Sequence, residues 1–160
     1  MTIQAGERMP EGTLTHMGAN GPEPVSTDDL FAGKTVVLFS VPGAFTPTCS
    51  AKHLPGYVEH AAALAAKGAD TVACIAVNDV FVMDAWGKSQ SADGKVMMLA
   101  DGNGDYTGAL GLELDASGFG MGGRGQRFSI IVKDGVAEHV NVEQGGEFKV
   151  SAAEVALEQL

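Results

Sequence analysis

The sequence predicts an α/β fold with one central mixed sheet and helices on both of its faces. Three patterns carry that prediction. Residues 35–41, 71–77 and 96–100 are short, almost continuously apolar runs, the first two rich in β-branched side chains. Runs of this kind mark strands covered on both faces. Helical periodicity fills the stretches between them, so crossovers join the three strands and set them parallel. Finally, residues 127–132 and 136–142 flank Lys133-Asp134-Gly135, and an Asp-Gly pair between two strand patterns is the strongest short-range hairpin signal.

Taken in order, residues 1–33 are rich in Pro and Gly and predict an irregular arm with one hairpin, followed by a helical turn that Gly33 closes. Pro42-Gly43 stops the first buried strand. Residues 50–67 predict one helix, with Leu54, Val58, Ala61, Ala62 and Ala65 on a common face and Gly68 as its C-cap. Pro55 lies inside that span and predicts a kink or a tightened first turn. Asn78-Asp79 starts the next helix, over 80–90, which carries Val82, Met83 and Trp86 on one side. The third strand ends at Asp101-Gly102-Asn103-Gly104, and a short helix follows over 106–110. A final helix begins at Ser151, where Ser151 and Glu154 have the spacing of a capping box. There is no linker-like stretch and no internal repeat, so residues 1–160 are expected to form a single domain.

Composition narrows the partners. Twenty acidic against ten basic residues leave a formal charge of −10, a field that disfavours nucleic acid and anionic membrane surfaces. No apolar run approaches the ~20 residues of a bilayer-spanning helix. The opening MTIQAGERMP lacks the basic and apolar regions of a secretory leader, so a cytoplasmic location is the expectation. Two cysteines are too few for a disulfide scaffold, which makes thiol reactivity the question.

The chemistry points to residues 41–50, Val-Pro-Gly-Ala-Phe-Thr-Pro-Thr-Cys-Ser. This segment leaves the carboxyl end of a buried strand, where ligand sites of open α/β sheets lie, and enters a helix. Cys49 falls at the helix start, where free N–H groups and the positive dipole end favour an anionic thiolate. Thr46 can direct its hydroxyl at the sulfur or at a molecule beside it. Pro42 and Pro47 stiffen the loop and shield it from water. The competing reading of Cys49 is a small, inert core side chain. Cys74 sits in the middle of an apolar strand and reads as such a core residue.

Other patterns carry less. Gly118-Phe119-Gly120-Met121-Gly122-Gly123 satisfies G-x-G-x-x-G, yet it precedes a strand instead of opening a helix, so a mobile loop is the better reading. The four histidines, His16, His53, His60 and His139, lack zinc spacing. His53 stands four residues after Cys49 and offers an alternative, a cysteine–histidine pair for acyl transfer. A third reading is a redox sensor whose oxidised Cys49 alters a partner contact.

Pro42, Thr46 and Cys49 fit Pro-x-x-x-Thr-x-x-Cys, and the segment resembles the active-site signature of the peroxiredoxins. Gly43, Ala44 and Phe45, then His53-Leu54-Pro55-Gly56, residues 77–86 and Arg127-Phe128-Ser129, resemble the type II (fifth-subfamily) branch. The resemblance implies a thioredoxin-like fold and a thiol-dependent peroxidase acting on hydrogen peroxide and organic hydroperoxides. By it, Cys49 is the peroxidatic cysteine, Thr46 hydrogen-bonds peroxide and thiolate, and Pro42 excludes water. The essential arginine, counted back from Arg127-Phe128, falls at Arg124. The sulfur carries the electrons itself, so no metal or organic cofactor is implied. Residues 145–160 contain no cysteine to resolve an internal disulfide. That leaves glutathione with glutaredoxin, or thioredoxin, as external reductant, with Cys74 the less suited resolver. A homodimer through the active-site loops, with Phe45 near its face, is also implied.

Overall fold

A computed structural model describes residues 1–160. The N-terminal arm forms a hairpin of β1 (Thr13–Gly18) and β2 (Gly21–Ser26), then the short helix α1 (Thr27–Phe31). Strand β3 (Thr35–Ser40) leads into a π-helical turn (Cys49–His53), continued by α2 (Leu54–Glu59) and α3 (Ala61–Ala66). Next come β4 (Thr71–Ala76), α4 (Val80–Ser89), β5 (Met97–Ala100) and α5 (Asp105–Leu110). A small outlying hairpin pairs β6 (Glu113–Asp115) with β7 (Gly123–Gly125). The predicted hairpin is β8 (Phe128–Lys133) with β9 (Val136–Val142), and α6 (Ala153–Gln159) closes the chain.

The main sheet runs β2-β1-β5-β4-β3-β8-β9. Strands β3, β4 and β5 are parallel, and both edges are antiparallel. The mixed sheet follows from connection length: crossovers join the central strands, while a two-residue turn can only reverse the chain. Side chains alternate as the pleat requires. Val37, Phe39, Val72, Cys74 and Ala76 face one core layer, which Leu54, Tyr57, Leu64, Met83, Trp86 and Ala156 complete. Val36, Leu38, Ala73, Ile75, Ile130 and Val132 face the other, under Leu30, Phe31, Tyr106 and Leu110. Helices therefore cover both faces, as the sequence predicts. No helix is long and apolar enough to cross a membrane.

Three local expectations change. The helix over 50–67 is divided. In a regular α-helix the Pro55 ring would strike the carbonyl of Ala51; here the turn widens, and the Leu54 N–H reaches the Cys49 carbonyl five residues back. The capping box at α6 does not form, because the Ser151 hydroxyl donates to Glu143 and Glu154 lies against His60. The glycine stretch is not a loose loop but the tip of the β6–β7 hairpin, where Gly120 and Gly122 take φ of +70° and +68°, a region open mainly to glycine.

Candidate active site

The site is set by one register. Ser40, the last residue of β3, pairs with Phe128, the first of β8. The residues just beyond, Val41 and Arg127, therefore emerge together at the carboxyl end of β3. From Val41 the chain turns through half-buried Pro42 and buried Gly43, reaches Phe45 at a left-handed φ of 65°, and enters the π-helical turn. Ala44 N–H donates to Asn78 Oδ1 (3.0 Å), which pins the loop to the end of β4. The Ser50 N–H donates to the Thr46 carbonyl (2.9 Å) as the first helical bond, so Cys49 sits in the opening turn. Its side chain is fully buried.

Arg127 divides its guanidinium between two partners. Nη2 donates to Cys49 Sγ at 3.0 Å, and Nη1 donates to His53 Nδ1 at 2.7 Å. An arginine can only donate, so Nδ1 accepts, and the imidazole hydrogen must lie on Nε2. That nitrogen donates to the Ser151 carbonyl (3.1 Å), which also accepts from the Tyr57 hydroxyl (2.7 Å). Burial first, then the Arg127 charge, pushes His53 down to about 3, with the Ser151 carbonyl pulling the other way. His53 is a neutral acceptor that fixes the arginine. The Phe148 ring covers the pair, 4.9 Å from the His53 ring and 5.9 Å from Arg127 Cζ.

This geometry corrects the assignment of the arginine. Arg124 lies in β7, opposite Leu114, on the outlying hairpin. Its Nε donates to the Met121 carbonyl (2.9 Å) and its Nη1 to the Val77 carbonyl (3.3 Å). The guanidinium on the sulfur belongs to Arg127. The sequence predicts a strand start at residue 127; the pairing of that strand with β3, which brings Arg127 to the sulfur, is shown by the fold. The cysteine–histidine pair is also overturned: both His53 nitrogens are engaged elsewhere, and the sulfur's partner is Arg127. Thr46 donates its only hydroxyl hydrogen to the Gly43 carbonyl (2.7 Å), which leaves its oxygen as an acceptor. Cys74 is free and buried in β4. Burial raises its thiol well above the ordinary value, nearby Cys49 adds to this, and Arg127 opposes it.

The site is a buried cysteine under a fixed guanidinium, at the carboxyl end of a parallel strand in a mixed sheet. The family model described as Redoxin matches residues 4–157. Peroxiredoxin-2B of Arabidopsis thaliana is 48% identical over 159 residues, covering 99% of this chain and 98% of that protein. Reduced Prx3 from Vibrio vulnificus, solved in complex with hydrogen peroxide, superposes with a TM-score of 0.95 at 49% identity, over 99% of each chain. The Plasmodium falciparum antioxidant protein, a 1-Cys peroxiredoxin, gives a TM-score of 0.89 at 30% identity, over 98% of each chain. The chain belongs to the peroxiredoxins of the thioredoxin-like superfamily, and it is an enzyme, a thiol-dependent peroxidase.

Proposed function

We propose that the protein reduces hydrogen peroxide and small organic hydroperoxides at Cys49, and that an external thiol regenerates it. The observation that carries this reading is the 3.0 Å contact of Arg127 Nη2 with Cys49 Sγ. It fixes a permanent positive charge and a hydrogen donor beside the sulfur, and beside any oxygen that comes to react with it. The thiolate attacks the terminal peroxide oxygen; the S–O bond forms as the O–O bond breaks. The leaving oxygen takes up a proton and departs as water or alcohol, and the sulfur is left as sulfenic acid. Charge moves from sulfur to oxygen in this step, so donors fixed beside both atoms act most strongly in the transition state. Thr46, with its hydrogen committed to Gly43, accepts from the peroxide O–H. Pro42, half-buried at the head of the loop, keeps water off the sulfur. The complex of the Vibrio vulnificus protein with hydrogen peroxide supports that substrate here.

Regeneration follows from the position of the second cysteine. Cys74 is buried in mid-strand and held in β4 by pairing to Phe39 on one side and Met98 on the other, so it is not offered to an incoming sulfenic acid without movement of the sheet. Glutathione with glutaredoxin, or thioredoxin, attacks the sulfenic sulfur and releases water, and a second thiol frees Cys49. A homodimer is the matching assembly. Phe45, Phe81 and Phe119 are 57%, 64% and 86% exposed. Their segments are tied together through the Ala44–Asn78 and Arg124–Val77 bonds, and these exposed rings supply the apolar side chains of the proposed contact.

Stopped-flow fluorescence with hydrogen peroxide tests the reading. The Trp86 indole N–H donates to Ser50 Oγ (3.0 Å), one residue from the reacting sulfur, so it reports on that turn. A fast peroxide-dependent phase is expected, absent in Cys49→Ser and preserved in Cys74→Ala, with turnover under glutathione and glutaredoxin or under thioredoxin. Oxidation no faster than free cysteine overturns the reading. A Cys49–Cys74 disulfide by mass spectrometry, with loss of turnover in Cys74→Ala, overturns the external reductant.

A further inference from the structure

Beyond the sulfur and its arginine, one buried carboxylate has no partner in the reaction above. Glu143 is 8% exposed, and none of the ion pairs of the structure includes it. Its donors all come from one short segment. Glu143 Oε1 and Oε2 accept from the Lys149 N–H (2.9 Å each), and Oε2 also accepts from the Val150 N–H (2.9 Å), the Ser151 N–H (2.8 Å) and the Ser151 hydroxyl (2.6 Å). Its own N–H donates to the carbonyl of Arg127 (3.0 Å), as expected one residue beyond the Phe128–Val142 pair.

We propose that Glu143 is a positioning residue for peroxide reduction, holding the strap 144–151 closed over Arg127. The strap delivers two contacts to the site. The Ser151 carbonyl fixes the His53 tautomer whose Nδ1 receives Arg127 Nη1, and Phe148 covers the His53–Arg127 pair. Arg127 Nη2 is aimed at the sulfur only while Nη1 is so held. A carboxylate is the group that fits, because every atom facing it is a hydrogen donor, and an amide in its place would turn its own NH2 toward N–H groups. Removing the charge therefore loosens the strap without touching Cys49, Arg127 or Thr46.

The proposal rests on the peroxidase reading, and its test separates the two. Two second-order rates are measured on reduced Cys49 in the full chain: oxidation by hydrogen peroxide, and alkylation by iodoacetamide with the modified peptide identified by mass spectrometry. Alkylation needs a reachable thiolate but not an arginine aimed at a peroxide oxygen. Glu143→Gln is expected to slow the peroxide step by about tenfold or more, the scale of a small misplacement of a catalytic group, while alkylation changes by a clearly smaller factor. Ser151→Ala deletes one donor and keeps the peptide that His53 and Tyr57 use, so it should move the ratio the same way by a smaller factor. Glu143→Asp, which keeps the charge, should recover part of the loss. Wild-type peroxide rates in both Glu143→Gln and Ser151→Ala, or equal slowing of oxidation and alkylation, overturn the proposal. A wild-type chain that is itself slow with peroxide overturns the peroxidase reading and the role of Glu143 with it.

Discussion

At the scale of single residues, the site depends on a guanidinium with two ends. Arg127 Nη1 is spent on His53 Nδ1 and Nη2 on Cys49 Sγ, so charge alone does not describe its work. A lysine has one nitrogen on a flexible stem and cannot hold both partners in a plane. Arg127→Lys is therefore expected to lower the peroxide rate on the order of 10²-fold, the range seen when one fixed transition-state donor is lost. Arg124→Lys is expected to lower it less than Arg127→Lys, since Arg124 donates to the Met121 and Val77 carbonyls. Stopped-flow rates of the two variants side by side check this; equal losses would show that the guanidinium on the sulfur has no special place. The two arginines are three residues apart in the same basic, glycine-rich stretch, and nothing in their identities separates them. What separates them is the start of β8, since the residue just before Phe128 lies across from the residue just after Ser40.

At the scale of elements, burial on both faces made the central strands legible, because it leaves an unbroken apolar run in Thr35–Ser40 and in Thr71–Ala76. The Asp134-Gly135 turn was equally plain, with φ of 47° and 80°, the left-handed pair that a two-residue hairpin uses. The β6–β7 hairpin was not legible. Its strands are three residues each, Glu113–Asp115 and Gly123–Gly125, too short to show a period. The failed capping box has its own cause: the Ser151 hydroxyl is taken by the buried Glu143, eight residues earlier, before the helix can use it. The missed hairpin carries Phe119 at 86% exposure, and its Arg124 donates to the Val77 carbonyl ahead of α4, the helix that carries Phe81. In the proposed dimer this tip lies in the contact, so Phe119→Asp should shift sedimentation velocity from dimer to monomer at micromolar concentration. An unchanged dimer would place the interface elsewhere. The melting temperature of the variant protomer should move little, because an exposed side chain contributes little to folding.

At the scale of the whole molecule, acid is expected to act through two buried groups beside the site. His53 is neutral in the fold, held at about 3 against an ordinary 6.5. The unfolded chain therefore binds a proton there first as pH falls, and stability declines from about pH 6.5 toward 3, with a limiting slope near 1.4 kcal/mol per pH unit for one proton. Glu143 adds to the same trend lower down. Burial opposes its charge, but the Ser151 hydroxyl and the N–H groups of Lys149, Ser151 and Val150 outweigh that and hold it below the ordinary 4.5. Its contribution is present above 4.5 and is lost as pH falls through its folded value. Urea unfolding from pH 7.5 to 4 should then show stability falling below 6.5 and falling more steeply below 4.5. Glu143→Gln should remove the lower step and keep the upper one, whereas His53→Asn should flatten the upper one. A stability that stays level between pH 6.5 and 5 would mean that His53 takes up its proton in the fold. Its bond from Arg127 would then be broken well before the molecule unfolds, and the peroxide rate should fall over the same interval.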